Sequence, residues 1–218
     1  MRTEKINGFW VPAVDIHIEK WKSGDPFSQN KCLNTFISYC ESQNKKFERV
    51  LDIGAWAGTW SYAMQKFCKS IIAFEPDGIN FECLHKNLAP FNHITCNQNA
   101  IGEKNGRVSL TEDNFTQAKR IENKQGNTQM FTIDYYNYSD VDVIKIDVEG
   151  YEMRVLEGAH KTISYNDENQ SNVKFIMVEL NNNTKKYGSN NIQVEKHIES
   201  LGFRTLINIW PDKVYYRA

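Results

Sequence analysis

The 218-residue sequence predicts an α/β fold, a Rossmann-like three-layer sandwich with a mostly parallel sheet and a C-terminal antiparallel hairpin. Apolar stretches alternate with segments of helical periodicity from Lys31 onward. Small or polar turn residues follow the apolar stretches, as at the strand ends of open parallel sheets. The last two apolar stretches are separated only by Pro211, Asp212 and Lys213, so those two strands must run antiparallel.

The spacing predicts five strand–helix units followed by the hairpin, which gives seven strands in all. Leu33, Phe36, Ile37 and Cys40 recur at helical intervals, so a helix precedes the first strand. The predicted strands are 49–53, 70–74, 94–101, 141–146, 173–180, 203–210 and 214–217. The predicted helices after the first strand are 58–67, 78–88, 151–163 and 192–201. A short hairpin arm is expected at 107–110 and a polar loop at 112–128.

The sequence divides into residues 1–30, which lack clean periodicity, and one domain over residues 31–218. We predict that the first part is an extension that can cover an acceptor site. Its role cannot be read from its spacing.

Composition indicates which partners to expect. The 26 basic and 27 acidic residues give a formal net charge of −1, which predicts neither a nucleic-acid nor a membrane partner. Five scattered cysteines without a C-x-x-C pair predict neither a disulfide framework nor a zinc site. No stretch approaches a membrane span, and the N-terminus lacks a signal-peptide pattern. A cytoplasmic protein is the expectation.

Four polar residues end or follow successive predicted strands: Asp52, Glu75, Asn99 and Asp147. Ligands of open α/β sheets bind at the carboxyl ends of the strands. Each residue alone is explained equally well as a helix cap. Four of them on successive strands favour a cofactor site.

The loop after the first strand distinguishes between cofactors. It reads Asp-Ile-Gly-Ala-Trp-Ala-Gly over residues 52–58, and Thr59 and Trp60 stand where a dinucleotide loop needs a third glycine. An acid here suits the ammonium and sulfonium groups of S-adenosylmethionine (SAM). Glu75 can accept bonds from ribose hydroxyls, but NAD would use such a residue too. An NAD-dependent oxidoreductase on a related fold therefore remains an alternative.

The chain resembles the FkbM-type SAM-dependent methyltransferases over about residues 48–181. The resemblance is carried by residues 50–58, 73–77, 99–102, 132–134 and 178–179, and above all by Ile-Lys-Ile-Asp-Val-Glu-Gly-Tyr-Glu at 144–152. Residues 155–159, Val-Leu-Glu-Gly-Ala, extend the last block. The family usually carries Asn at the position of Trp56.

The resemblance implies a class I methyltransferase domain over residues 31–218 that methylates oxygen, often on sugars or other natural-product hydroxyls. It implies that Asp52, Gly54 and Gly58 line the methionine part of SAM, Glu75 the ribose, and Asn99 and Ala100 the adenine. The full predicted cofactor-binding set is Asp52, Gly54, Ala55, Trp56, Gly58, Glu75, Pro76, Asn99, Ala100 and Asp147.

Asp147 and Glu149 are the predicted catalytic residues. A hydroxyl acceptor needs a group that takes its proton, and residues two apart in an extended segment point the same way. Paired carboxylates are compatible with Mg²⁺ or Mn²⁺, although the sequence assigns no metal ligands. Glu149 could instead cap the following helix, and Lys145 is expected to pair with a neighbouring acid. A catalytically silent SAM-binding module is a second alternative.

Overall fold

The computed structural model describes residues 3–13, 22, 30–111, 119–122, 124–164 and 172–218. Its strands are β1 (Thr3–Ile6), β2 (Phe9–Pro12), β3 (Phe47–Ile53), β4 (Cys68–Phe74), β5 (Ile94–Asn97), β6 (Ala100–Ile101), β7 (Gly106–Leu110), β8 (Ile121–Glu122), β9 (Thr128–Phe131), β10 (Val141–Ile146), β11 (Phe175–Glu179), β12 (Arg204–Ile209) and β13 (Asp212–Tyr216). Its α-helices are α1 (Lys31–Ser42), α2 (Thr59–Met64), α3 (Gly78–Leu88), α4 (Ile133–Tyr136), α5 (Glu152–Glu157), α6 (His160–Ile163) and α7 (Asn191–Ser200). Short 3₁₀ helices span Gln65–Phe67 and Asn182–Tyr187.

A seven-stranded sheet carries the fold, in the order β12-β13-β11-β10-β3-β4-β5. Strands β11, β10, β3, β4 and β5 pair in parallel, whereas β13 runs antiparallel to both β11 and β12. One strand is therefore reversed, and the predicted fold class with its C-terminal hairpin is confirmed.

The hydrophobic core lies on both faces of this sheet. In β3, Leu51 and Ile53 pack into the cluster that contains helices α5 and α7, while Val50 packs into the cluster that contains α1 and α2. Burial on both faces explains why β3 and β10 read as nearly continuous apolar stretches. Asp52 lies on the Val50 side of β3, because side chains alternate along a strand.

The prediction of one strand over residues 94–101 is wrong, because the chain leaves the main sheet after Asn97. Ala100–Ile101 pairs instead with β9 in a second sheet of order β6-β9-β7-β8. The predicted arm at 107–110 is strand β7 of this sheet. Of the predicted loop at 112–128, residues 112–118 lie outside the described part, and β8 and the start of β9 occupy part of the rest.

The predicted helix over 151–163 is interrupted at Gly158, which separates α5 from α6. A Cβ atom on Gly158 would lie 1.9 Å from the carbonyl oxygen of Gly102. The carbonyl of Gly158 accepts the backbone N–H of Asp134 at 3.0 Å. The break therefore lets the chain contact two neighbouring segments through its backbone.

The N-terminal segment contains a hairpin that the sequence analysis missed. Strands β1 and β2 pair antiparallel around Asn7 and Gly8, which both have positive φ angles of 50° and 87°. Asn-Gly is the preferred two-residue hairpin turn, so the signal was present in the sequence. Apart from Lys22, residues 14–29 lie outside the described part. The division at residue 30 and the acceptor-covering role remain predictions.

Among the residues that the structure describes, no helix combines the length and apolar character needed to cross a membrane. The five cysteines all lie in the described part, as free thiols.

Candidate active site

A cavity of about 310 Å³ opens at the carboxyl edge of the main sheet, a volume typical of small-ligand sites. Most of the predicted site residues line it: Gly54, Ala55, Trp56, Glu75, Pro76, Asn99, Ala100, Asp147 and Glu149. Asp52 and Gly58 do not.

The loop after β3 passes directly beneath the end of β10. Gly54 has a φ of +77°, and a Cβ atom there would lie 1.8 Å from the carbonyl oxygen of Asp147. The N–H groups of Gly54 and Ala55 both donate to the carbonyl of Phe74, at 3.0 and 2.9 Å. Gly54 is therefore required for the loop to pass β10.

Gly58 lies where the cofactor loop packs against a neighbouring helix. Its φ is +89°, and a Cβ atom would lie 2.9 Å from Cδ1 of Leu84 and 3.1 Å from Cδ1 of Leu88. This glycine precedes α2 and allows close packing against α3. A contact of Gly58 with the cofactor remains a prediction.

Trp56 occupies a left-handed backbone conformation with a φ of +49°, which is rare for a bulky residue. Asn adopts this conformation much more readily, which gives a physical reason for the Asn that the family usually carries there. The Trp56 N–H donates to Oε2 of Glu75 at 2.9 Å. The indole packs against the cluster of the N-terminal hairpin.

Asp52 is fully buried and acts within the protein. Its Oδ2 accepts the hydroxyl of Ser61 at 2.7 Å, and its Oδ1 lies 3.1 Å from Nζ of Lys145. Its direct contact with the methionine part of SAM remains a prediction, since the carboxylate lies behind the loop.

Lys145 connects Asp52 to the cavity. Its Nζ donates to the carbonyl of Gly54 at 2.7 Å and lies 3.4 Å from Oδ2 of Asp147. Burial alone would lower the pKa of Lys145, but the charges of Asp52 and Asp147 outweigh burial and raise it. The predicted ion pair is present, and Lys145 stays a cation at neutral pH.

Glu75 is buried directly after β4, with both oxygens held by donors. Oε1 accepts the N–H of Asp77 at 2.9 Å and Nδ2 of Asn80 at 3.3 Å, while Oε2 accepts from Trp56. Burial raises the pKa of Glu75 to about 7, although the N–H groups of Asp77 and Trp56 lower it. Among the described residues, Oε1 already accepts two hydrogen bonds and Oε2 only one, so Oε2 retains the acceptor capacity that a ribose hydroxyl would use.

Pro76, Asn99 and Ala100 line the cavity next to Glu75, together with the apolar side chains of Phe74 and Ile101. Nδ2 of Asn99 donates to the hydroxyl of Tyr136 at 3.3 Å, which fixes its side chain. Apolar walls with one amide suit a flat heteroaromatic base. The adenine assignment therefore remains a prediction with which the lining agrees.

Asp147, Glu149 and Glu179 form a carboxylate cluster at the other end of the cavity, with one oxygen from each within 4.8 Å of the others. The charge of Asp147, together with burial, holds the pKa of Glu179 far above its ordinary value. Asp212 also lines this end, where burial and the charge of Asp147 raise its pKa to about 7. Oxygen ligands of this kind are compatible with Mg²⁺ or Mn²⁺, to which the sequence analysis assigned no ligands.

Glu149 is held at a left-handed turn, with a φ of +56°. Its Oε2 accepts Nδ2 of Asn181 at 3.2 Å and Nδ2 of Asn183 at 3.1 Å. Burial and the charge of Asp147 raise the pKa of Glu149 to about 7. Beneath the turn, Oε1 of buried Glu152 accepts the N–H of Gly150 at 2.9 Å. No side chain caps the N-terminus of α5, so the capping alternative for Glu149 is wrong.

The sequence analysis did not assign Glu179 or Asp212 to the site. Glu179 ends β11, the fifth parallel strand, so the strand-end rule that found Asp52 applied to it as well. Asp212 starts β13 and pairs with Glu179 across the antiparallel ladder. Locating it requires the hairpin register, which no local pattern fixes.

A family model described as "Methyltransferase FkbM domain" matches residues 52–205, more than half of the chain. The chain belongs to the FkbM methyltransferase family. The family match decides in favour of SAM over NAD, and the chain thus contains a SAM-dependent methyltransferase domain. None of the curated proteins compared with it matches.

Solved structures show the same fold as this FkbM-family chain at low sequence identity. Methyltransferase FkbM from Methylobacillus flagellatus KT is 19% identical, with a TM-score of 0.52, and the alignment covers 78% of this chain and 43% of that one. This chain thus spans less than half the length of that relative.

Two further neighbours are covered almost entirely. Precorrin-6y C5,15-methyltransferase from Geobacter metallireducens GS-15 is 11% identical, with a TM-score of 0.53 and coverage of 95% of this chain and 100% of that one. N-methyltransferase NodS from Bradyrhizobium japonicum WM9, in complex with S-adenosyl-L-homocysteine (SAH), is 10% identical, with a TM-score of 0.52 and coverage of 90% and 91%. At these identities the likeness shows the fold alone.

Proposed function

We propose that this chain is an O-methyltransferase that uses SAM to methylate a hydroxyl of a sugar, a glycan or another small acceptor. One observation carries the proposal: a single cavity joins the fixed carboxylate of Glu75 to the carboxylate cluster that contains Glu149, whose pKa burial and the charge of Asp147 raise to about 7. The first suits a nucleoside and the second suits removal of a hydroxyl proton.

In this proposal, Glu75 binds the ribose, the walls near Asn99 and Ala100 hold the adenine, and the loop at 54–56 faces the methionine part. When bound, SAM supplies a methyl group on a sulfonium centre. Lys145 keeps the carbonyl of Gly54 in place, and Trp56 and Trp60 line the cavity with aromatic surface that limits water access.

Glu149 accepts the proton of the acceptor hydroxyl, because its raised pKa matches a base that works near pH 7. Asn181 and Asn183 aim its carboxylate. Beside it, the charge of Asp147 and burial raise the pKa of Glu179, and Lys145 lies 3.4 Å from Asp147. These residues orient the acceptor oxygen and hold its proton.

The charge of this end also supports a substrate class. Four carboxylates, from Asp147, Glu149, Glu179 and Asp212, line it, while Lys145 pairs with Asp147 and the charges of Arg120 and Lys186 act on Glu149. Acceptors that bring a phosphate or carboxylate to the reacting hydroxyl would be repelled. We therefore expect neutral or cationic acceptors, such as unmodified sugars and amino sugars.

The test is release of SAH from SAM by the purified chain with a panel of acceptors. Neutral sugars, amino sugars and their phosphorylated counterparts form matched pairs. We expect SAH release with at least one uncharged or amino acceptor and a lower rate with its phosphorylated partner. A faster rate with the phosphorylated partner would contradict the substrate class.

Binding measurements separate the alternatives. Calorimetric titration with SAH and with NADH should show micromolar binding of SAH only. SAH binding without turnover of any acceptor in a broad panel would favour the silent binding module. Methyl transfer to nitrogen only would replace the hydroxyl assignment.

A further inference from the structure

We infer that Asn87 and the N-terminal hairpin, residues 3–12, are positioning elements that hold the cofactor loop at 54–58 in its ligand-binding shape. The inference rests on the cofactor site proposed above. It assigns a role to a helix residue and a segment that do not line the cavity.

Asn87, buried on α3, joins the hairpin to the loop by three hydrogen bonds. Its Oδ1 accepts the N–H of Trp10 at 2.7 Å. Its Nδ2 donates to the carbonyl of Trp10 at 2.7 Å and to the carbonyl of Ala57 at 2.8 Å. One side chain thus provides hydrogen-bond partners for backbone groups of both a β2 residue and the loop.

The hairpin also packs on both helices that flank the loop. The ring of Phe9 meets the ring of Tyr62 of α2 edge to face, with centroids 5.6 Å apart. Nζ of Lys86, on α3, lies 4.3 Å from the centroid of Trp10. The hairpin therefore spans from α2 to α3 across the outer side of the loop.

The loop needs this support because of Trp56. A bulky residue at a φ of +49° is strained and persists only where its surroundings impose the conformation. The indole of Trp56 packs with Trp10 against the apolar cluster Ile6, Phe9, Val11, Ala57 and Cys83. The same turn aims the Trp56 N–H at Glu75, so loosening the hairpin would loosen the carboxylate proposed to bind the ribose.

The experiment is calorimetric titration of the full chain with SAH, well below its unfolding temperature. We expect Asn87→Leu to raise the Kd for SAH about fivefold, because the Ala57 carbonyl loses its donor and the binding-competent loop becomes less populated. Hydrogen exchange at residues 54–58 should become faster. Asn87→Ser, a milder change, serves if Asn87→Leu does not fold.

Two controls separate this role from general destabilisation. Val194→Ala removes buried methyl groups from α7, remote from the loop, and should lower the Tm without changing the Kd. Lys69→Met removes an exposed charge that pairs with Glu48 at the amino end of β4, and should change the Kd little. An unchanged Kd and unchanged exchange in Asn87→Leu and Asn87→Ser would overturn the inference. Failure of the parent chain to bind SAH would instead overturn the cofactor proposal.

Discussion

The two ends of the cavity both contain acids, but the groups that surround those acids differ. At one end, three N–H donors point at the two oxygens of Glu75. At the other end Asp147, Glu149 and Glu179 lie close together, and burial and the charge of Asp147 raise the pKa of Glu149 and of Glu179. A carboxylate surrounded by donors is a preset acceptor for binding, whereas crowded carboxylates store and accept protons. The difference separates a binding function from a chemical one.

The sharpest test of this separation is Glu149→Gln. Loss of the proton acceptor should slow methyl transfer about 100-fold, whereas the Kd for SAH should stay close to that of the parent. SAH release with the best acceptor measures the first quantity, and calorimetry the second. The matched control is Glu157→Gln, which changes a partly exposed glutamate that pairs with Arg154. A change in Kd as large as the change in rate would show that the two ends are not separate.

The converse change is Glu75→Gln. It removes the charge that accepts bonds from the ribose, which should weaken SAH binding about 10- to 100-fold. At saturating SAM, the rate of methyl transfer should fall far less than in Glu149→Gln. Unchanged SAH affinity would place the ribose elsewhere.

The pH dependence of SAH binding should come from the Glu75 end alone. Its pKa of about 7 in the unliganded chain means that it takes up a proton as the pH falls. Ribose hydroxyls donate to the charged form, so the Kd should be about tenfold weaker at pH 6 than at pH 8. Glu75→Gln should abolish this slope. A slope that survives the substitution would assign it to the carboxylate cluster.

The carboxylate cluster should lower the free energy of unfolding at high pH. A carboxyl whose pKa is raised in the folded state favours folding at low pH, and this contribution is lost as the pH rises above the ordinary carboxyl range. Glu179→Gln should therefore raise the Tm at pH 8, by about 2–4 °C for each kcal/mol of repulsion removed, and change it little at pH 5. Differential scanning calorimetry with Glu199→Gln as an exposed control measures this.

The smallest effect is expected from removal of divalent cations. Lys145 and the raised pKa of Glu179 already offset part of the negative charge of the cluster. EDTA should leave the rate of SAH release unchanged. A rate that collapses in EDTA and returns with Mg²⁺ or Mn²⁺ would make the cluster a metal site.

Sequence reasoning was strongest for residues whose position depends on a single strand. Apolar stretches that end in acids predicted the parallel strands. They also predicted that Glu75, Asp147 and Glu149 lie at the carboxyl edge of the sheet. Sequence reasoning could not show which side chains bind the acid of Asp52. Ser61 and Lys145 contact its carboxylate, and Asp52 does not line the cavity.

The short elements show the same limit. Residues 94–101 have apolar ends but a polar centre at 97–99, where the strand breaks, and the sequence did not show that the second part pairs with β9. The break at Gly158 depends on the backbone of Gly102, 56 positions earlier by the numbering. In contrast, the turn at Asn7 and Gly8 was readable and was overlooked because its strands are only four residues long.

The contact between Gly54 and the carbonyl of Asp147 has a consequence for how this protein can diverge. Backbone touches backbone there, with no side chain in between to be exchanged for a larger or smaller one. Natural variants therefore cannot change the shape of the loop at 54–58 and that of the turn at 147–149 independently. New acceptor preferences must arise from the peripheral segments that surround this rigid junction.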